Sequence, residues 1–116
     1  MNTLGFVSIQ VHDLETSGRF YTEVLDFERD QTLNPEAVVF KNDAGAIFAV
    51  RKPLQPLEGN LGAGVGLWFA VPDVEALSQC VEAGWITVIR PLGDGPFGRI
   101  FVALDPDGYA LTLHQG

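Results

Sequence analysis

Cysteine is nearly absent from this chain, with Cys80 alone among 116 residues, so an internal disulfide is excluded. Basic residues are also few. Seven Lys and Arg face fifteen Asp and Glu, a formal net charge of −8, which sets the chain against nucleic acid and anionic membrane as partners. No apolar run approaches the roughly 20 residues that span a bilayer, and the N-terminus lacks the basic stretch and long apolar run of a secretory leader. The expected location is the cytoplasm. Histidine occurs twice, as His12 and His114, neither with a carboxylate at strand or helix spacing to complete a metal site. Cys80 lies among Val74, Leu77 and Val81 in a helical pattern and reads as a small core hydrophobe, not a nucleophile.

What the chain does have is a hydrophobic content of 47%, ample for one compact domain. The stretch 6–27, FVSIQVHDLETSGRFYTEVLDF, changes period at a single residue. Up to Val11 it alternates, with Val7, Ile9 and Val11 on one face and Phe6, Ser8 and Gln10 on the other, as a strand does. Past Asp13, Leu14, Ser17 or Gly18, Tyr21, Val24 and Leu25 follow helical spacing, which makes Asp13 the N-cap. The pattern recurs at 66–85, GLWFAVPDVEALSQCVEAGW, where Leu67, Phe69 and Val71 alternate, Asp73 caps, and Val74, Leu77 and Val81 take helical spacing. The caps are 60 residues apart, so one supersecondary unit is present twice.

Residues 27–33, 37–41 and 46–52 read as further strands of the first module, which spans 1–52. The Pro- and Gly-rich segment 53–64 reads as a linker, and the second module, 65–116, repeats the order with strands at 86–92, 99–104 and 109–114. GDGPFG at 93–98 reads as a loop, and DPDG at 105–108 as a tight turn. GDGPFG matches a dinucleotide-binding pattern letter for letter, but a strand follows it where a helix N-terminus is needed. DPDG lacks the later oxygen ligands of a calcium loop.

Two βαβββ copies, a V-x-D opening each helix, the Phe20-Tyr21 pair followed by V-L-x-F, and the ending DPDGYALTL together resemble the vicinal oxygen chelate superfamily over nearly the whole chain. That superfamily holds glyoxalase I, extradiol dioxygenases, fosfomycin-resistance enzymes and bleomycin-resistance proteins. The resemblance implies an α+β fold, two βαβββ modules forming an incomplete barrel around a pocket, and a homodimer. It also implies, for the enzymes, a divalent metal held by one ligand from the first and one from the last strand of each module. Those positions here are Phe6, Ala49, Gly66 and Thr112, which offer at best one hydroxyl where imidazole and carboxylate donors are wanted. No metal and no other cofactor is expected.

Strand parity then names the pocket face: Phe6, Ser8 and Gln10, Ile47, Ala49 and Arg51, Gly66, Trp68 and Ala70, Ala110, Thr112 and His114. The opposite face, Val7, Ile9, Phe48, Val50, Leu67, Phe69, Leu111 and Leu113, suits packing against helices. Phe6 and Trp68 offer flat surfaces, and Ser8, Gln10, Arg51 and Thr112 offer polar groups to orient a ligand. The leading expectation is a metal-free protein that binds an aromatic or cationic small molecule, such as an antibiotic, without transforming it. Other readings stand beside it: a lyase, isomerase or dioxygenase with displaced ligands, a domain with no small ligand, and a barrel in which Phe6 and Trp68 are merely core.

Overall fold

The computed structural model describes residues 1–31 and 33–116, which form two compact units, Met1–Glu58 and Gly59–Gly116. The first unit runs β1 (Val7–Gln10), α1 (Leu14–Arg19), a π-helical turn (Phe20–Val24), β2 (Glu28–Arg29), β3 (Ala37–Asn42) and β4 (Gly45–Arg51). The second runs β5 (Leu67–Val71), α2 (Val74–Glu82), β6 (Val88–Gly95), β7 (Gly98–Leu104) and β8 (Ala110–Gln115). Each is a βαβββ module, and the sheet orders match: β1-β4-β3-β2 in the first and β5-β8-β7-β6 in the second. In both, the first strand pairs in parallel with the last, and the helix makes the crossover.

The strand alternation places the core as parity demands. Ile9, Phe48 and Val50 are buried in the first unit, and Leu67, Leu111 and Leu113 in the second, while Val7 and Phe69 are half-buried. Tyr21, Phe27, Phe40 and Phe48 form the aromatic centre of the first core, with Tyr21 and Phe48 centroids 5.2 Å apart and Phe40 stacked on Phe48 at 5.9 Å. Helix and sheet approach closely at Gly18, where an added Cβ would lie 3.1 Å from Val38 Cγ2.

Three local expectations are corrected. The first helix does not keep an α-helical period to Leu25: the Leu25 amide donates to the Phe20 carbonyl, five residues back, at 3.2 Å. This wider turn brings Phe20, Tyr21 and Leu25 all inward, and Asp26 ends it at a positive φ of 59°. The strand expected at 27–33 is confined to Glu28–Arg29, with position 32 outside the described residues. Cys80 is exposed, because the inward stripe of α2 is Val74, Ser78 and Val81, and position 80 is turned away from it.

The segment read as a linker divides between the units. Leu54 donates its amide to Gln10 Oε1 at 2.8 Å, whereas Gly62, at φ 75°, lies so close to the Tyr109 ring that no side chain fits there. The DPDG turn forms around buried Asp105, whose Oδ1 accepts from the amides of Asp107 and Tyr109, both at 2.9 Å.

Candidate functional site

The segment expected to be a loop, 93–98, is a hairpin end: β6 continues to Gly95, β7 begins at Gly98, and only Pro96 and Phe97 form the turn. The stem is fastened on both sides. Gly95 lies over Ile100, where an added Cβ would come within 2.8 Å of the isoleucine Cδ1, so any larger residue requires Ile100 to shift. Arg90 donates to the Asp94 carbonyl at 2.7 Å, and Arg99 stands 3.6 Å from the Asp94 carboxylate and 3.7 Å from that of Glu75.

This hairpin delivers Phe97 to the face that parity assigns to Trp68. Registers pair Trp68 with Thr112 and Ala70 with His114 across β5 and β8, so all four side chains share a side of the sheet. Phe97 meets Trp68 edge to face, with centroids 5.8 Å apart and planes at 84°. His114 lies 6.3 Å from each of them, its plane inclined at 52° to Trp68 and 48° to Phe97. Trp68 and Phe97 remain 46% and 69% exposed, so the three rings are an open aromatic surface. His114 Nδ1 is 3.3 Å from the Gln115 carbonyl oxygen, a contact that holds the ring in place. The indole folds back toward Gly66, where an added Cβ would be 3.5 Å from Trp68 Nε1. Phe97 was missed in the sequence because nothing in GDGPFG shows which two residues form the turn; the flanking pair Gly95 and Gly98 is the available signal.

The corresponding face of the first unit carries Phe6, Ser8 and Gln10 beside Ile47, Ala49 and Arg51, with Ser8 opposite Ala49 and Gln10 opposite Arg51. Phe6, Ser8 and Ile47 are exposed, and Ala49 is buried at 3%. Gln10 and Arg51 are both engaged with the segment after β4, Gln10 through the Leu54 amide and Arg51 through Nε, which donates to the Lys52 carbonyl at 3.2 Å. Thr112, in the second unit, is likewise buried, at 7%, between Trp68 and Val102.

The four positions at which the resemblance implies a metal do not fit one. Phe6 and Ala49 are hydrocarbon, Gly66 has no side chain, and Thr112 contributes a single buried hydroxyl. No group of three or more His, Cys, Asp or Glu among the described residues could hold an ion.

A separate open groove of about 990 Å³ lies in the first unit, at the start of α1, with Leu14, Val38 and Leu54 among its walls and Glu15, Arg29 and Lys52 also lining it. It holds one ring, the imidazole of His12, and no Phe, Tyr or Trp, and the carboxylate of Asp13 within it is committed to capping the helix. The aromatic face, with its converging rings, is the better candidate.

Comparison with known proteins agrees with this architecture. The chain is 28% identical over 119 aligned positions to the glutathione transferase FosA of Serratia marcescens, covering 100% of this chain and 82% of that one. It is 27% identical over 118 positions to a probable lactoylglutathione lyase of Vibrio parahaemolyticus, covering 92% and 86%. Among solved structures, a protein of unknown function from Agrobacterium tumefaciens superposes with a TM-score of 0.80 at 24% identity, covering 100% of this chain and 97% of that one. TioX from a Micromonospora species superposes with a TM-score of 0.73 at 18% identity, covering 97% and 98%. The family model described as the Glyoxalase/Bleomycin resistance protein/Dioxygenase superfamily matches residues 3–113, and the chain belongs to that superfamily.

Proposed function

We propose that this chain is a metal-free binding protein of the superfamily, which takes up an aromatic or cationic small molecule, such as an antibiotic, and does not transform it. The observation that carries this reading is the open contact of Trp68 with Phe97, flanked by His114. Rings left this exposed on a sheet face supply large contact area at little entropic cost, which suits ligand capture. The donor-poor set Phe6, Ala49, Gly66 and Thr112 argues in the same direction.

On the first unit, Phe6, Ser8 and Ile47 are proposed as ligand contacts of that unit's own sheet face, with Gln10 and Arg51 fixing the strand ends around them. The net charge of −8 favours cationic ligands through its long-range field. The single cysteine fits a cytoplasmic location, and no helix among the described residues is long and apolar enough to cross a membrane. A homodimer is the proposed assembly.

The enzyme names of the two curated relatives motivate the alternative, a metal-dependent lyase, isomerase or dioxygenase. Native mass spectrometry of the protein purified from its source cells separates the two readings. A dimer carrying a small organic molecule and no ion supports the binding reading. One divalent ion per chain supports the enzyme.

A further inference from the structure

We infer that the aromatic face of the second unit selects a compact organic cation, a quaternary or multiply alkylated ammonium group, over a flat ring system. The inference rests on the proposed binding function and narrows its ligand class.

Ring geometry is the ground. A planar ligand is gripped on both faces only by two parallel walls, and no two of these rings are parallel: the interplanar angles are 84°, 52° and 48°. The centroids instead form a nearly equilateral triangle with sides of 5.8, 6.3 and 6.3 Å. A single cation placed over that triangle lies within about 6 Å of the Trp68 and Phe97 centroids at once, the range in which the faces of indole and phenyl rings attract positive charge, and the His114 ring closes the third side. A flat ligand could stack on one ring only.

Charge and rigidity point the same way. Of the two arginines on the hairpin, Arg99 stands against the carboxylates of Asp94 and Glu75, which offset its charge, and Arg90 donates to the neutral Asp94 carbonyl. The β6–β7 ladder presents Phe97 on a two-residue turn, and the packing of Gly95 on Ile100 and the Arg90 bond to the Asp94 carbonyl brace its stem. The chain as a whole carries a net charge of −8, which favours a cation.

Choline and its uncharged isostere 3,3-dimethylbutan-1-ol make the test, since they share shape and differ in charge. Both are titrated into the Trp85→Phe variant, in which Trp68 is the sole tryptophan, with fluorescence and the ring-current shift of the ligand methyl protons as readouts. Planar aromatic cations and neutral planar aromatics are titrated in parallel. Choline is expected to bind at least tenfold more tightly than the isostere. Phe97→Leu, which keeps an apolar side chain and removes the ring, is expected to weaken choline at least threefold, and Trp68→Ala at least tenfold, with circular dichroism confirming that both variants fold.

Equal binding of choline and isostere would make the corner merely apolar and overturn the inference. Binding of planar aromatics without choline would overturn it too, while leaving the binding function standing. Failure of every ligand would remove both. Trp68 emission that changes with protein concentration instead of ligand would assign the face to a second copy of the chain, and would also overturn the inference.

Discussion

The carboxylates of Asp13 and Asp73 make the same bond: each Oδ1 accepts the amide three residues on, Thr16 in α1 and Ala76 in α2, at 3.1 Å in both. Each backbone carbonyl also accepts the first helical bond, from Ser17 at 3.0 Å and Leu77 at 3.1 Å. The repeat seen in the sequence is thus a repeat of hydrogen bonds. Asp13→Ala and Asp73→Ala should each lower the unfolding free energy by about 1 kcal/mol, and Asn at either position should recover most of it. Urea denaturation of the four variants checks this, and an Ala variant as stable as the parent would contradict it.

Ser17 is fully buried in α1, and its hydroxyl has no hydrogen-bond partner among the described residues. An unsatisfied buried hydroxyl costs free energy that alanine does not incur, and alanine is the better helix former. Ser17→Ala should therefore stabilise the fold by about 1 kcal/mol. A drop in melting temperature would show that the hydroxyl is bonded after all, for instance to a buried water.

Gly62 combines a φ of 75° with direct contact of its Cα region on the Tyr109 ring. Any side chain meets both a disfavoured backbone region and a collision. Gly62→Ala should cost about 2 kcal/mol, and the double variant with Tyr109→Ala should show the two changes to be non-additive, since the clash disappears with the ring. Additive losses would mean that the backbone conformation alone accounts for the cost.

Much of this was legible in the residues. The alternation around Val7, Ile9, Leu67 and Leu113 fixed which strand faces are buried, because a period of two leaves no freedom once one face is apolar. Asp13 and Asp73 could be placed as caps for the same reason of local chemistry. Phe97 could not be placed, since its role depends on which residues turn the β6–β7 hairpin, and three glycines in six residues permit several registers. The π-helical turn escaped because an i→i+5 bond differs from an α-helical one by a single residue of spacing, and Phe20, Tyr21, Val24 and Leu25 satisfy both. Cys80 was misplaced because one polar residue, Ser78, occupies the inward stripe of α2.

Removal of metal should do nothing. The positions Phe6, Ala49, Gly66 and Thr112 lack imidazole and carboxylate, so untagged protein should carry no stoichiometric divalent ion, and EDTA should leave its melting temperature unchanged. An EDTA-dependent fall of several degrees, restored by one metal, would return the chain to the metalloenzymes of its superfamily.

Titration calorimetry of the wild type, Trp68→Ala and Trp85→Ala against a panel of aromatic and cationic compounds, with tryptophan fluorescence followed in the wild type, tests the central claim most directly. Trp68 stands on the open ring face, whereas Trp85, past the end of α2, is fully exposed and is not among the three rings. The account predicts saturable quenching in the wild type, a loss of about 2 kcal/mol or more in Trp68→Ala, and near-wild-type affinity in Trp85→Ala. Association with a cationic ligand should also slow as salt shortens the Debye length below about 10 Å. Absence of binding across the panel, or a loss confined to Trp85→Ala, would contradict it.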